Sequence, residues 1–259
     1  SSEYFPLQAG SNNWAVSGAH TSHGDPIVAD DMHLGLSVPN IWFRASLVLD
    51  RPSGEQRRVT GVSLPGTPLI VAGSNGRIAW GFTNSQGDWL DLVILEPGPE
   101  EGTYLTPDGP RPLELVEEKI VASDGTEEVM AIEETVWGPV VKTDHLGRRL
   151  AARWVAYDSE GVNLNLAGLE DAGTVKEAFE IAASTGIPAQ NFTVADRDGN
   201  IGWTICGPIP RRTGYNGKTP RSWASGECDW DGYLETEEYP RIVNPPGGRI
   251  WETEPAVDL

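Results

Sequence analysis

The chain has 259 residues, 39% of them hydrophobic and 22% charged, which supplies ample apolar material for a core and excludes a disordered chain. Its 38 acidic against 19 basic residues give a net charge of −19, which argues against nucleic acid and against anionic membrane surfaces, since both need clustered Lys or Arg. No stretch reaches the roughly 18 apolar residues of a membrane helix. No basic segment followed by an apolar one opens the sequence as a targeting signal. Thirty Gly and twenty Pro, spread throughout, predict many turns and short strands with few helices, hence a strand-rich α+β chain. Cys206 and Cys228 are the only two cysteines; a pair and two free thiols are equally compatible with the sequence, and neither fixes the compartment.

In chain order, residues 1–10 read as an irregular leader and residues 11–259 as the folded domain. From Ser11 the pattern turns strand-like, with Trp14 and Val16 alternating with smaller neighbours. Ile27-Val28-Ala29 follows a turn at Gly24-Asp25-Pro26, and Ile41 to Leu49 is another strand-like run. A hairpin is predicted from Leu69–Gly73 and Ile78–Thr83 around Ser74-Asn75-Gly76-Arg77, because Asn-Gly suits a tight turn. Asp124-Gly125 between Val121 and Val129–Ile132, and Arg197-Asp198-Gly199-Asn200 between Phe192–Ala195 and Ile201–Ile205, predict two more. One helix is expected: Thr174 stands as N-cap with Glu177 at N3, and Val175, Ala178, Phe179 and Ala182 make one apolar face. Gly186 and Pro188 stop it. Pro208 to Pro246, rich in Pro, Gly and Trp, reads as long packed loops.

The common catalytic signatures are absent: there is no G-x-S-x-G elbow, no phosphate-cradling G-x-x-x-x-G-K-[ST] and no C-x-x-C. His20 and His23 have a spacing that binds zinc on a helix, but flanking Gly18 and Gly24 make the segment a loop. Asn191-Phe192-Thr193 is a formal glycosylation sequon that reads equally as buried or turn residues. Gly10-Ser11-Asn12-Asn13-Trp14 is the informative text. A free N-terminal Ser can attack with its own α-amine, pKa near 8, as the base, so no histidine is needed. The amine is freed only if the Gly10–Ser11 bond is cut, and the small Gly10 leaves room for the hydroxyl to attack its own preceding carbonyl. The dipeptide by itself is equally a turn entering a strand.

Five ordered segments resemble the penicillin acylase family, which includes penicillin, cephalosporin and acyl-homoserine-lactone acylases. They are GSNNWAVSG, ADDMHLGLSVPNIWF, SLPGTPLIVAGSNGRIAWGFTNSQGDWLDL, AQNFTVADRDGNIGW and DWDGYLETEEYPRIVNPPGGRI, and they span residues 11 to about 251. The resemblance implies part of an N-terminal-nucleophile αββα sandwich that hydrolyses linear amides. It implies that Ser11 is the nucleophile, exposed by autocatalytic cleavage of Gly10–Ser11, that His33 lies near it, and that the Asn84 backbone N–H forms half of the oxyanion hole. It places Leu34, Val71, Ala72 and Phe82 in an acyl pocket. Asp88, Leu90, Asp91 and Pro220 match a structural calcium site, oxygen ligands that suit a hard cation. Partners implied are an amide substrate, an upstream α-chain and a downstream β-chain portion. Export to the periplasm or exterior is the family habit.

Three departures stand against that pattern. Residues 1–10 are still joined to Ser11, so its amine is blocked. Glu254 stands where the resemblance expects the Asn whose side chain is the second oxyanion donor, and a carboxylate has no N–H to give. Ala256 lies near the place of an expected Arg. The chain is also shorter than family members, so a sheet core with missing layers should expose apolar surface and self-associate. The expectation is therefore an amidohydrolase chain, with a catalytically silent fragment or scaffold, or a calcium-dependent binding module, as the competing readings.

Overall fold

The structure, a computed structural model, describes residues 10–34 and 37–254, with backbone alone at Thr253 and Glu254. The leader before Gly10, Gly35 and Ala256 lie outside the described residues. The chain folds as two compact units, one made from Ser1–Gly87, Glu160–Pro208 and Leu234–Leu259, the other from Asp88–Ser159 and Ile209–Tyr233.

In the first unit, the strand Gly10–Val16 lies between Ile27–His33 and Arg249–Glu254 in an antiparallel three-stranded sheet. Ser11, Asn13 and Ala15 are buried while Asn12, Trp14 and Val16 are only partly so, the period-two pattern of a strand with one packed face. That face meets a seven-stranded sheet, in the order Arg241–Val243, Ile201–Cys206, Gln190–Asp196, Ile78–Asn84, Ala72–Ser74, Gln56–Ser63 and Phe43–Asp50. The approach is close at Gly81, where an added Cβ would sit 2.9 Å from Asp30 Cβ and 3.0 Å from Asn13 Oδ1. Only glycine fits between the sheets there. The Asn75-Gly76 hairpin forms as expected, Gly76 taking φ +81° and Asn75 donating its N–H to Ile78 O.

The helix Val175–Ser184 covers the other face of the large sheet, burying Val175, Ala178, Phe179 and Ala182. Thr174 Oγ1 accepts the Glu177 N–H at 3.1 Å, but the Glu177 carboxylate reaches past the cap to take the Gly173 N–H at 2.6 Å. Helix, large sheet and small sheet thus give three stacked layers within this unit. Phe192, Val194, Phe82 and Trp80 form the core between helix and sheet, with Leu169 and Phe179.

The second unit is built on a six-stranded sheet, ordered Glu114–Val121, Glu127–Thr135, Gly138–Thr143, Arg149–Trp154, Leu90–Ile94 and Arg221–Ser222, the last strand pairing in parallel. Pro208 to Pro246 is not simply loop: it carries the strands Pro210–Thr213, Arg221–Ser222, Asp229–Tyr233 and Arg241–Val243. Its tryptophans explain the ordering, since Trp223 and Trp230 are buried against Val93, Tyr104 and Trp137. Cys206 and Cys228 are both free, and complete burial pushes the Cys206 thiol up to about 12. No described helix is long and apolar enough to cross a membrane.

Candidate active site

Ser11 is 6% exposed and lies opposite Met32 on one neighbouring strand and opposite Glu254 on the other. Gly10, Ser11 and Asn84 all line one cavity of about 620 Å³ in the first unit. Its walls are mostly apolar, with Met32, Leu34, Trp42, Leu69, Val71 and Phe82 among the lining residues. Leu164, Ile187 and Pro188 add to the apolar lining, and Asp30, Asn163, Gln190 and Thr67 supply a few polar edges. A concave apolar site with few convergent polar groups is the usual form of a small-molecule pocket.

The strand that carries Asn84 is anchored from two sides. Asn191, across the ladder, donates from Nδ2 to Thr83 Oγ1 at 3.0 Å and to Asn84 O at 3.3 Å, and its own Oδ1 accepts the Trp203 indole N–H. On the opposite edge the neighbouring strand Ala72–Ser74 pairs only as far as Trp80. Beyond it, the Phe82 N–H leaves the ladder and donates to Asp30 Oδ2 at 3.2 Å. Alternate N–H groups of an antiparallel strand point to the same edge, so the Asn84 N–H, two residues on, is directed to the edge that Phe82 uses. Burial pushes the Asp30 carboxyl up to about 7, against the lowering effect of the Phe82 N–H; the neighbouring Asp31 charge adds to the rise.

Ser11, Asn84, Leu34, Val71 and Phe82 are thus brought together, and two other residues named from the sequence are not. The His33 ring is exposed, with Nε2 2.9 Å from Asp31 Oδ2 and 3.0 Å from Asn12 Nδ2. Asn12, Asp31 and His33 occupy the strand face opposite to Ser11, because side chains alternate. Ala72 is buried behind the wall, beside a second hollow that it shares with Asp30 and Trp80. Asp30 and Asn191 went unread as site residues; the alternation of Val28, Asp30 and Met32 was the available signal for the first.

Asp88, Leu90, Asp91 and Pro220 belong to the second unit. Asp91, 3% exposed, accepts at Oδ2 from Arg212 Nε at 2.7 Å, from the Tyr215 hydroxyl at 2.7 Å and from the Trp230 indole N–H. Arg212 also donates to Asp88 O at 2.7 Å and lies 3.6 Å from the Asp88 carboxylate. Partial burial and the Asp91 charge raise the Asp88 carboxyl, while the guanidinium lowers it. Calcium takes six to eight oxygens, and among the described residues no three His, Cys, Asp or Glu side chains converge. A guanidinium therefore stands where the resemblance implies a metal, and these residues as arranged do not fit calcium. Replacing Asp91 by Ala strands a buried guanidinium, a hydroxyl and an indole N–H. The expected loss is about 3–5 kcal/mol of unfolding free energy, read by denaturant titration. A calcium titration that raised the melting temperature of the wild-type protein would contradict the guanidinium-filled arrangement.

Comparison with known proteins places the chain in a family and a fold. The family model described as penicillin amidase matches residues 1–255. Penicillin acylase 2 proenzyme of Pseudomonas sp. (strain SE83) is 30% identical, covering 93% of this chain and 31% of that protein. Acyl-homoserine lactone acylase QuiP of Pseudomonas aeruginosa is also 30% identical, over 93% of this chain and 29% of its own length. The chain therefore spans about three tenths of the curated relatives it matches. A thermostable penicillin G acylase from Alcaligenes faecalis superposes with a TM-score of 0.76 at 24% identity, covering 93% of this chain and 43% of that one, which shows the same fold.

Proposed function

Because this chain belongs to the penicillin amidase family, we propose that it is the nucleophile-bearing part of an amidohydrolase that cleaves a linear amide with an uncharged, apolar acyl group. The observation that carries the reading is the shared cavity: Ser11 and Asn84 sit on its wall, and the rest of the lining is mostly hydrocarbon, with Asp30, Thr67, Asn163 and Gln190 as the polar exceptions. Relatives named for penicillins and acyl-homoserine lactones support an acyl-amide substrate.

In this mechanism Ser11 Oγ first attacks the Gly10 carbonyl, and water hydrolyses the resulting ester to leave Ser11 with a free amine. That amine, with an ordinary pKa near 8, then takes the hydroxyl proton as Ser11 attacks the substrate carbonyl. The developing oxyanion is received by the Asn84 backbone N–H, the amine product leaves with the proton, and water releases the acyl group from Ser11. His33 takes no proton in this scheme, since it faces away.

A substrate series tests the reading. Amides of hexanoic or phenylacetic acid should be hydrolysed with kcat/KM at least about tenfold above succinyl amides, because a carboxylate in this cavity is desolvated with no Lys, Arg or His side chain on the lining to pair with it. A preference for the charged acyl group would overturn the assignment of the cavity.

The silent-scaffold alternative has one observation in its favour, the register that sets Glu254 directly across from Ser11. On the present account the Glu254 carboxylate slows the chemistry without changing its type.

A further inference from the structure

Between the two sheets of the first unit lies a cluster of polar atoms that the reaction scheme above does not use. Asn13 is 0% exposed, and neither its Oδ1 nor its Nδ2 has a hydrogen-bond partner. Asp30, opposite Asn13 in the ladder, has one oxygen on the Phe82 N–H and the other buried without a partner. Thr193, also 0% exposed, pairs with Gly81, and its hydroxyl is likewise unpartnered. Asn13 and Asp30 crowd onto the same point, within about 3 Å of where a Gly81 Cβ would be. Buried polar groups left unmatched are costly, and they persist where they serve a site.

We infer that Asp30 is a positioning residue for the Ser11 site. Through the Phe82 amide its carboxyl fixes the strand end that carries Asn84, and loss of its proton alters that fixation. The inference rests on the reading of Ser11 as nucleophile and Asn84 as oxyanion donor. Asp30 takes over as acceptor where the pairing strand Ala72–Ser74 runs out, two residues before Asn84. It also lines the cavity with Ser11. As a neutral acid it keeps Oδ2 on Phe82 and can turn its O–H onto the Asn13 amide oxygen. As an anion it has no donor to give Asn13, and it adds a negative charge near the Ser11 amine, which holds that amine protonated and idle as a base.

The charge around Asp30 is simple. Asp31 on its own strand raises its pKa. The facing strands Gly10–Val16, Ile78–Asn84 and Ala72–Ser74 carry no charged side chain; the outer strand Arg249–Glu254 sets Glu252 across from Asn13, and partial burial raises that carboxyl too. Gln190–Asp196 contributes only Asp196, at the far end from Thr193 and opposite Ile78. The one cation that processing adds is the Ser11 ammonium itself. With the carboxyl pushed up to about 7, the change falls in the neutral range.

The test compares wild type, Asp30→Asn and Asp30→Ala in the protein as its gene encodes it, with a hexanoyl amide as substrate. Asp30→Ala, which leaves the Phe82 N–H without an acceptor, should lower kcat at least about tenfold at pH 6 with KM within about twofold, and Asp30→Asn should recover most of that loss. The wild-type rate should bend downward near pH 7, while Asp30→Asn goes on rising toward the pKa of the amine. Independently of activity, the wild-type melting temperature should fall relative to Asp30→Asn as the pH rises from about 4 to about 7 and level off above that, since only in this window does the folded state alone hold the Asp30 proton. Superimposable pH profiles in both measurements, or an unchanged kcat in Asp30→Ala, would overturn the inference while leaving the amidohydrolase intact. A wild-type protein that hydrolyses no amide at any pH sinks the amidohydrolase reading itself, and the role of Asp30 falls with it.

Discussion

Replacing Ser11 by Ala lowers kcat/KM for amide hydrolysis by at least about 10⁴-fold and leaves the Gly10–Ser11 bond uncut. The size of the effect follows from the chemistry. The hydroxyl is the group that becomes acylated, and no other Ser, Thr or Cys on the described cavity wall occupies a strand opposite the oxyanion side. Thr67 lines the cavity but carries no α-amine to activate it. The variant keeps its fold, because Ser11 contributes to the sheet through its backbone, in register with Met32 and Glu254 near the end of the ladder, and Ala makes those pairs equally well. A melting temperature near wild type, measured beside the lost activity, separates chemistry from misfolding. Retained hydrolysis would remove Ser11 from the mechanism.

The second large effect runs the other way. Changing Glu254 to Asn raises kcat by about 10²–10³-fold, the usual worth of one oxyanion donor. Ser11 and Glu254 are register partners on adjacent antiparallel strands, and directly opposed residues of such a pair are close neighbours. A carboxylate at that range cannot donate to the developing oxyanion and repels it. An amide of nearly the same reach donates two N–H groups. The gain should appear in kcat rather than KM, since the oxyanion exists only on the way to and from the acyl-enzyme. A variant no faster than wild type would favour the scaffold reading, in which the missing donor is not what limits the chain.

Much of the first unit was legible because its signals are local. Asn75-Gly76 sets a hairpin, Thr174 caps a helix, and the small-large alternation after Gly10 gives a strand, although its packed face turns out to be that of Ser11, Asn13 and Ala15 and not that of Trp14 and Val16. The cavity residues Leu34, Val71 and Phe82 were reached by resemblance and not by periodicity, which says only that they are apolar. What the sequence concealed is long-range. Arg212 and Asp91 are 121 positions apart, and no spacing rule links a lone Arg to the carboxylate it neutralises. Asp30 looked like one more acid in a chain of −19 charge, and only the packing of the two sheets at Gly81 shows that one of its oxygens is buried. The second unit was not read as separate because it is assembled from two stretches with the helix and two strands of the first unit between them.

The whole account depends on a base borrowed from the nucleophile's own main-chain nitrogen. The most direct measurement is the mass spectrum of the protein, taken alongside its hydrolysis of a hexanoyl amide. The account predicts a new chain beginning at Ser11, with hydrolysis growing in step with its appearance. Full hydrolysis by molecules in which Gly10 and Ser11 are still joined would contradict it.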